Sequence, residues 1–493
     1  MTAGAGTAGT TAGTTAAPGD EPTLSARLAR FAVDCRDHGV PDAVRADIPG
    51  RVLDILGLAL AAYADPGADA AAAALRSVRR WGGIGEATVI GSGDRLPAPA
   101  AALVNGVLAH SLDFDDTHLP SVLHPSATVV PAALAAAEAV ETGTAAGGAA
   151  LVAAVAAGIE ITNRLGMAGY LPATGVNVFF ERGQHATSIC GTIGAAVAAG
   201  LLYGLDDVGI GHAIGIAASM GAGILEANRT GGSVKQAHCG WAAHAGVSAA
   251  VLAADGLTGP PTVLEGRFGF FTAHTGDFTA DALLRGLGTD WEVLRTVYKP
   301  YPSNHFTHPG VDCALALRAG GLDPADVAEI ELGVAAPVLR TIAEPTAEKT
   351  RPRSAYHAKF SGPYTIAAAL LGGGGLGLSL DDFAGELPAD RLALAARVRC
   401  VADPRASELF PRAFAAVLRV RTRGGALLEH RVDSSRGGPQ NPLSAGDLAT
   451  KFQLNAERAV PPARIAALRD AVLGATGAGV TPSALLALTA SAR

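Results

Sequence analysis

The stretch AHSLDFDDTHLPSVLHPSA, residues 109–127, gathers three aspartates (Asp113, Asp115, Asp116), three histidines (His110, His118, His124) and Thr117. The rest of the chain is largely alanine, glycine and leucine, so this concentration of carboxylate and imidazole stands apart. Such groups can move protons, hold a metal or transfer phosphate. If the apolar helix ending near Leu112 runs one turn further, His110, Asp113 and Thr117 share a face at i, i+3 and i+7, with Asp116 beside them. Asp115 then points elsewhere. His124 falls in a loop before Pro125, because a proline disfavours helical geometry at the preceding residue. For any one of these residues a capped helix end in a solvated loop is the plain alternative; for the cluster, function is the stronger reading.

Two sharper chemistries compete here. DFDDT matches the DxDxT nucleophile pattern of aspartate-based phosphatases, but that chemistry needs the first Asp at the end of a parallel strand. The preceding ALVNGVLAHSL reads as helix, with no βαβ alternation around it. Asp113, Asp116, His118 and His124 could ligate a metal, yet no HxH, HxxxH or HExxH spacing supports it.

Four further segments carry chemistry. In ERGQHATSICGTIGAA, Thr187 and Ser188 are good helix caps, which leaves His185 just outside a helix start where unpaired amides favour an anion. In NRTGGSVKQAHCG, Gly231 and Gly232 make a flexible turn, Ser233 caps, and Lys235 lands in the first helical turn. A cation there opposes the helix dipole, which makes sense if helix end and ammonium grip one anionic group. In KPYPSNHFTHPGVD, Pro309 suits the first helical position and makes His308 the cap, where imidazolium is disfavoured and a neutral base results. In KFSGPYTIAAAL, Tyr364 lies in a first helical turn, and a half-buried tyrosine with a satisfied hydroxyl is its plain reading. Acids, bases and anion-gripping helix ends, without nucleophile elbow, phosphate loop or dinucleotide fingerprint, suit proton abstraction beside carboxylates. A lyase or epimerase acting on a small polyacid is the expected class.

The elements that must position these groups are mainly helical. Residues 24–287 alternate long Ala/Leu/Val runs with Gly, Pro and Asp punctuation, without period-two alternation or a fixed repeat. After Trp291, VAEIELGVA, RLALAARVRCVAD and FAAVLRVRTRGGALLEHRVDSS read as strands, the last a hairpin turning at Gly424 and Gly425. The fold class expected is therefore mainly α: a large helical domain from both chain ends (21–291 and 439–493) with an inserted α+β domain at 292–438. Residues 1–20 read as a disordered Ala/Thr/Gly tail, without the basic start and apolar core of a secretory signal. The apolar window at 145–159 is short and rich in Ala and Gly, so it reads as a buried core helix and not a membrane span.

Five scattered cysteines, odd in number and without a CxxC pair, argue against a disulfide framework and point to a cytoplasmic protein. A net charge of −7 provides no footprint for nucleic acid or anionic membranes. Of 38 basic residues only five are lysine, at 235, 299, 349, 359 and 451. A chain so biased toward arginine keeps lysine where an ammonium does what a guanidinium cannot.

Taken in order, NGVLAHSLDFDDTHLPSVLHPSATVVPAALA, RGQHATSICGTIGAA, GSVKQAHCGWAAHAG, LEGRFGFF, KPYPSNHFTH and FSGPYTIAAALL resemble the MmgE/PrpD family from about residue 24 to the C-terminus. That family includes 2-methylcitrate dehydratase, cis-aconitate decarboxylase and iminodisuccinate epimerase. The resemblance implies a homodimer of two-domain protomers, the smaller domain serving as a lid, with no metal or organic cofactor. It also implies active-site residues Asp113, Thr117, His124, His185, Lys235, His308 and Tyr364. In that scheme Lys235 and His185, with Thr117, hold substrate carboxylates, and His124 exchanges a proton at the reacting carbon. Asp113 orients His124 or shares its proton, while His308 and Tyr364 complete the pocket from the lid side. Two departures bear on substrate: QHAT lacks the proline many relatives have after the histidine, and DDTHLPSVLHP is a residue longer than in the decarboxylase. The expectation is a cofactor-independent lyase dehydrating 2-methylcitrate or a related hydroxy-polycarboxylate. Cis-aconitate decarboxylation, epimerisation of an amino-diacid adduct and a biosynthetic dehydration are the alternatives. A non-catalytic carboxylate-binding protein is disfavoured by the intact set of Asp, His and Lys.

Overall fold

A chain this rich in alanine and glycine can bring helix axes close together, and the computed structural model does so. It describes residues 21–141, 148–171, 176–227, 232–474 and 481–491. The expected tail at 1–20 and Gly231 of the expected turn lie outside the described residues. The principal helices of the first part are α1 (Leu24–His38), α2 (Asp42–Ala64), α3 (Ala98–His110), α4 (Ser126–Val140), α5 (Gly148–Ala168), α6 (Ala186–Leu202), α7 (Asp207–Ala218) and α8 (Val234–Ala254). α3 and α8 cross at Gly106, where an added Cβ would come within 2.8 Å of the Cys239 carbonyl oxygen. That close crossing sets the end of α3, with His110, against the start of α8, with Lys235 and His238. α5 is long and apolar enough to cross a membrane, but 89% of its apolar window is enclosed by the rest of the chain.

The helical core takes residues from Leu28 to Val293 and also Phe452, Ala456, Ile465 and Leu468. The last four come from α11 (Ala445–Ala456) and α12 (Pro462–Leu473), which lie against α2. A second, separate core runs from Tyr301 to Val420. It is built by α9 (His308–Ala319), α10 (Gly362–Leu371) and a four-stranded sheet: β1 (Val327–Val334), β2 (Val398–Ala402), β3 (Ala416–Thr422) and β4 (Leu427–Val432). The strand order is β4-β3-β1-β2, with β1–β2 parallel and the other pairs antiparallel. Register is set by pairs such as Ile330 with Val398 and Val420, and Val420 with Leu428. The β3–β4 hairpin closes around Gly424 and Gly425, the second at φ 88°, a conformation suited to glycine.

Two expectations need correction. RLALAARVRC is not one strand: Ala389–Ala395 is a helix and only Val398–Ala402 joins the sheet. Leu, Ala and Arg are strong helix formers, so the first half follows its propensity. The helical part also contains two-residue pairings, including Thr117–His118 with Thr296–Val297. That pairing ties the polar stretch to the chain entering the second core.

Candidate active site

α3 stops at His110, and the chain turns so that Asp113 sits at φ 53°. Val122, at the far side of the same loop, also has φ 53°. Non-glycine residues in this left-handed region cost on the order of 1–3 kcal/mol and persist where the surroundings over-determine them. The helical continuation expected through Thr117 therefore does not form, and a folded loop replaces the i, i+3, i+7 face. Asp115 and Asp116 exchange the parts expected of them. Asp115 turns inward, its Oδ2 lying 2.8 Å from His110 Nδ1 and 3.9 Å from His124 Nδ1. Asp116 turns away and accepts from Arg51, 2.9 Å from its guanidinium, and from the Ser126 hydroxyl at 2.5 Å.

Because Asp115 accepts from the Nδ1–H of His110, the Nε2 atom is left to accept from the Lys235 ammonium at 3.1 Å. The same ammonium is 3.5 Å from Asp113 Oδ1, and Lys299 approaches the other oxygen, Oδ2, at 3.4 Å. Burial pushes the Asp113 carboxyl up, but Lys299 and Lys235 outweigh it and hold the group well below the usual carboxylate range. Burial likewise pushes the Lys235 ammonium down, and Asp113 outweighs it, so the partners agree on an ion pair.

His124 donates Nδ1–H to the Asp116 carbonyl at 2.7 Å, with Thr117 Oγ1 at 3.3 Å from the same nitrogen. Its backbone N–H donates to Thr187 Oγ1 at 3.1 Å, the first turn of α6. Burial, opposed by Asp115 and reinforced by Lys299, pushes its imidazole down to about 3. At neutral pH His124 is thus a neutral ring with its proton on Nδ1 and a basic Nε2. His185 occupies the N-cap position of α6 itself and lies 3.0 Å, Nδ1 to Nδ1, from His238. Burial and then Lys235 push His185 well down, and burial pushes His238 down to about 4. The rings of His238, His185, His110 and His124 follow one another at 5.1, 5.8 and 5.2 Å.

From the second core, His308 is the first helical residue of α9, with Thr307 at the cap instead. Its Nε2–H donates to the Ser303 carbonyl at 3.1 Å, and its buried Nδ1 has no hydrogen-bond partner among the described residues. Burial and Lys299 push it down to about 3, so burial more than the helix end keeps it neutral. His305 stacks 4.5 Å from it and also carries a buried, unpartnered Nδ1.

Tyr364 does not join this group. It lies in the second core, with its hydroxyl donating to the Asp382 carbonyl at 3.0 Å. The tyrosine beside the cluster is Tyr356, in the short helix Ala355–Ala358, close enough to feel the charges of Lys235, Asp113 and Asp115. Burial, and the Asp113 and Asp115 charges against that of Lys235, push its phenol up to about 12. The residues the sequence reading did not select are therefore His110, Asp115, Lys299, His305 and Tyr356. The scarcity of lysine was the one signal that could have singled out Lys299.

The four side chains weighed as metal ligands take separate partners: Asp113 its lysines, Asp116 Arg51, His124 a carbonyl, and His118 the carboxylate of Glu292 at 3.1 Å. A cleft of about 520 Å³ lined by Pro120, Arg164, Tyr170 and Arg412 contains none of the clustered groups. The cluster itself is enclosed, with His110, Asp113, Asp115, His185, Lys235 and His308 all buried.

The MmgE/PrpD N-terminal domain matches residues 26–282, and the MmgE/PrpD C-terminal domain matches residues 301–474. A cis-aconitate decarboxylase of Homo sapiens is 33% identical over 382 residues, 75% of each chain. The one of Mus musculus is 31% identical over 375 residues, 75% of this chain and 74% of the relative. A third, of Aspergillus terreus, is 30% identical over 242 residues, 48% of each chain. With both domains matched in order and relatives similar over three quarters of their length, the chain belongs to the MmgE/PrpD family.

Proposed function

We propose that the protein is a lyase that moves a proton at a carbon beside a carboxylate of a small di- or tricarboxylate. The observation that carries this reading is a neutral His124 in a largely buried cluster with two ammonium groups, Lys235 and Lys299, on one aspartate. We rank cis-aconitate decarboxylation ahead of the 2-methylcitrate dehydration expected from the motifs; the support is that the relatives from Homo sapiens and Mus musculus are cis-aconitate decarboxylases.

Both reactions need the same provisions. In decarboxylation the departing carboxylate leaves as CO2, its C–C electron pair becomes a new alkene, and the former alkene carbon takes a proton. In dehydration a base removes the α-proton, the pair forms the alkene, and hydroxide leaves with a proton as water. In each, negative charge builds on a carboxylate next to the reacting carbon, where preorganised cations stabilise it. Lys235, with His185 and Thr117, holds substrate carboxylates; His124 carries the mobile proton; Asp113 keeps Lys235 charged; His308 faces the reaction from the second core. A bound polyanion favours imidazolium, so the substrate itself raises His124 toward the range where it can act as an acid. Tyr356 takes the place the motifs assigned to Tyr364. Assembly as a homodimer and independence from metal belong to the same reading.

The test incubates purified protein with cis-aconitate, 2-methylcitrate, citrate and iminodisuccinate in deuterated buffer, with and without chelator, followed by proton NMR. The expected result is a decarboxylated alkene carrying solvent deuterium from cis-aconitate, or a dehydrated alkene from 2-methylcitrate or citrate, unaffected by chelator and absent in Lys235→Ala. Absence of turnover and of exchange across the panel overturns the reading.

A further inference from the structure

Three of the five lysines grip three consecutive backbone carbonyls. Lys359 Nζ lies 2.8 Å from the Leu112 oxygen, Lys299 Nζ 2.8 Å from that of Asp113, and Lys451 Nζ 3.0 Å from that of Phe114. They arrive from three places: the end of the Ala355–Ala358 helix, the segment after Val297, and α11. We infer that these ammonium groups form a clamp on the backbone of residues 112–114, and that Lys359 and Lys299 are thereby positioning residues for Asp113.

With α3 ended at His110 and Asp113 in the left-handed region, the carbonyls that follow have no helical amide to accept from. Left buried and unpaired, each would carry its full desolvation penalty. A charged donor gives the stronger kind of hydrogen bond. An ammonium presents compact, tetrahedrally arranged donors to a single oxygen, whereas a guanidinium is a planar fork suited to paired acceptors. This accounts for lysine at these places in a chain that otherwise uses arginine.

The arrangement is a poor choice for stability alone. Lys299, Lys359 and Lys451 are 1%, 6% and 2% exposed, and buried ammonium groups are costly unless paired. Lys451 pairs with Asp54 at 2.7 Å and Lys299 with Asp113 at 3.4 Å. Among the described residues Lys359 meets no carboxylate at ion-pair distance, and its bond to Leu112 is to a neutral carbonyl. What it provides is the local backbone geometry that aims the Asp113 carboxylate between Lys235 and Lys299. Because Lys299 and Lys359 belong to the chain that builds the second core, the catalytic loop takes its shape only when that core is seated.

The role in catalysis rests on the lyase reading; the clamp itself does not. Hydrogen–deuterium exchange of the unliganded protein is therefore measured beside steady-state kinetics, for wild type, Lys359→Ala and Lys359→Gln. We expect faster exchange confined to peptides covering residues 109–127, and kcat lower by roughly 10- to 100-fold with a smaller change in KM. Ethylammonium added to Lys359→Ala should restore part of kcat and slow the exchange. Unchanged exchange in that segment, or a kcat that no alkylammonium ion restores, overturns the inference. Lys359→Gln, whose amide still donates, should exchange more slowly in that segment than Lys359→Ala; if Lys359→Ala does not fold, Lys359→Met, which fills similar space without a donor, carries the exchange measurement. If wild type turns over nothing, the lyase reading fails and exchange alone decides the clamp.

Discussion

Asp115 Oδ2 sits 2.8 Å from His110 Nδ1 and fixes which ring nitrogen of His110 faces Lys235. An asparagine there can present its amide N–H instead, so the ring takes the other tautomer and loses its acceptor for the ammonium. Asp115→Asn is expected to lower kcat by roughly 10- to 100-fold, as loss of an orienting partner does. Steady-state rates beside a thermal melt check this; a variant with wild-type kcat shows that His110 needs no orientation.

The two tyrosines separate by substitution. Tyr364→Phe removes a buried hydrogen bond to the Asp382 carbonyl, which is expected to cost about 1 kcal/mol of stability and leave kcat and KM alone. Tyr356 is 37% exposed and beside Lys235, so Tyr356→Phe is expected to change KM or kcat severalfold with little effect on melting. The opposite pattern would return Tyr364 to the active site.

Acid should weaken the fold early. Burial pushes the imidazoles of His124 and His308 down to about 3 and that of His238 to about 4, and lowers His118, His185 and His305. An unfolded histidine takes its proton near pH 6.5. These groups therefore cost nothing above that value, and below it the unfolded state gains protons the folded state refuses. Stability should fall as pH drops from about 6.5 toward 3, by up to about 1.4 kcal/mol per pH unit for each such histidine. Denaturant midpoints at pH 7.5 and 5.5 test it, and equal midpoints would refute it.

Alkali should act on the clamp instead. Burial pushes the Lys359 ammonium down to about 8, against the attraction of Asp113 and Asp65 and with the repulsion of Lys299 and Arg458. Its folded value lies below the usual 10.4, so from this group stability rises with pH between about 8 and 10.4. Activity is expected to fall above about pH 8 while the melting temperature does not fall with it. In Lys359→Arg, which stays charged, the alkaline limb should move up by about a unit or more, whatever the plateau rate. An unmoved limb would assign the loss to another group.

Much of this was legible before the fold was known, and the failures share a cause. The β3–β4 hairpin, the helix start before Lys235 and the helical reading of residues 186–202 follow from glycine placement, capping and apolar runs, which act over a few residues. His185 and Lys235 were singled out by helix-end arguments of the same range, and Asp113 and His124 as members of the polar cluster, with their roles taken from the family resemblance. The end of α3 at His110 was missed because nothing nearby forbids helix through Leu112. What stops it are lysines 186 to 337 residues further along, on the carbonyls of Asp113, Leu112 and Phe114. The exchange of Asp115 for Asp116 follows from that reversed loop. Tyr364 was misplaced because its motif specifies a helix start, and the packing of α10 turns that start into its own core.

All five lysines are buried, at 235, 299, 349, 359 and 451, with none more than 8% exposed. The described surface therefore carries its positive charge on arginine and presents no side-chain amine to solvent. Reagents that acylate amines should leave the closed protein almost untouched at these positions. Modification of Lys299 or Lys359, which reach from the second-core chain to residues 112–114, would then record a moment when the two cores had parted, whereas Lys349 and Lys451 would report openings within one part.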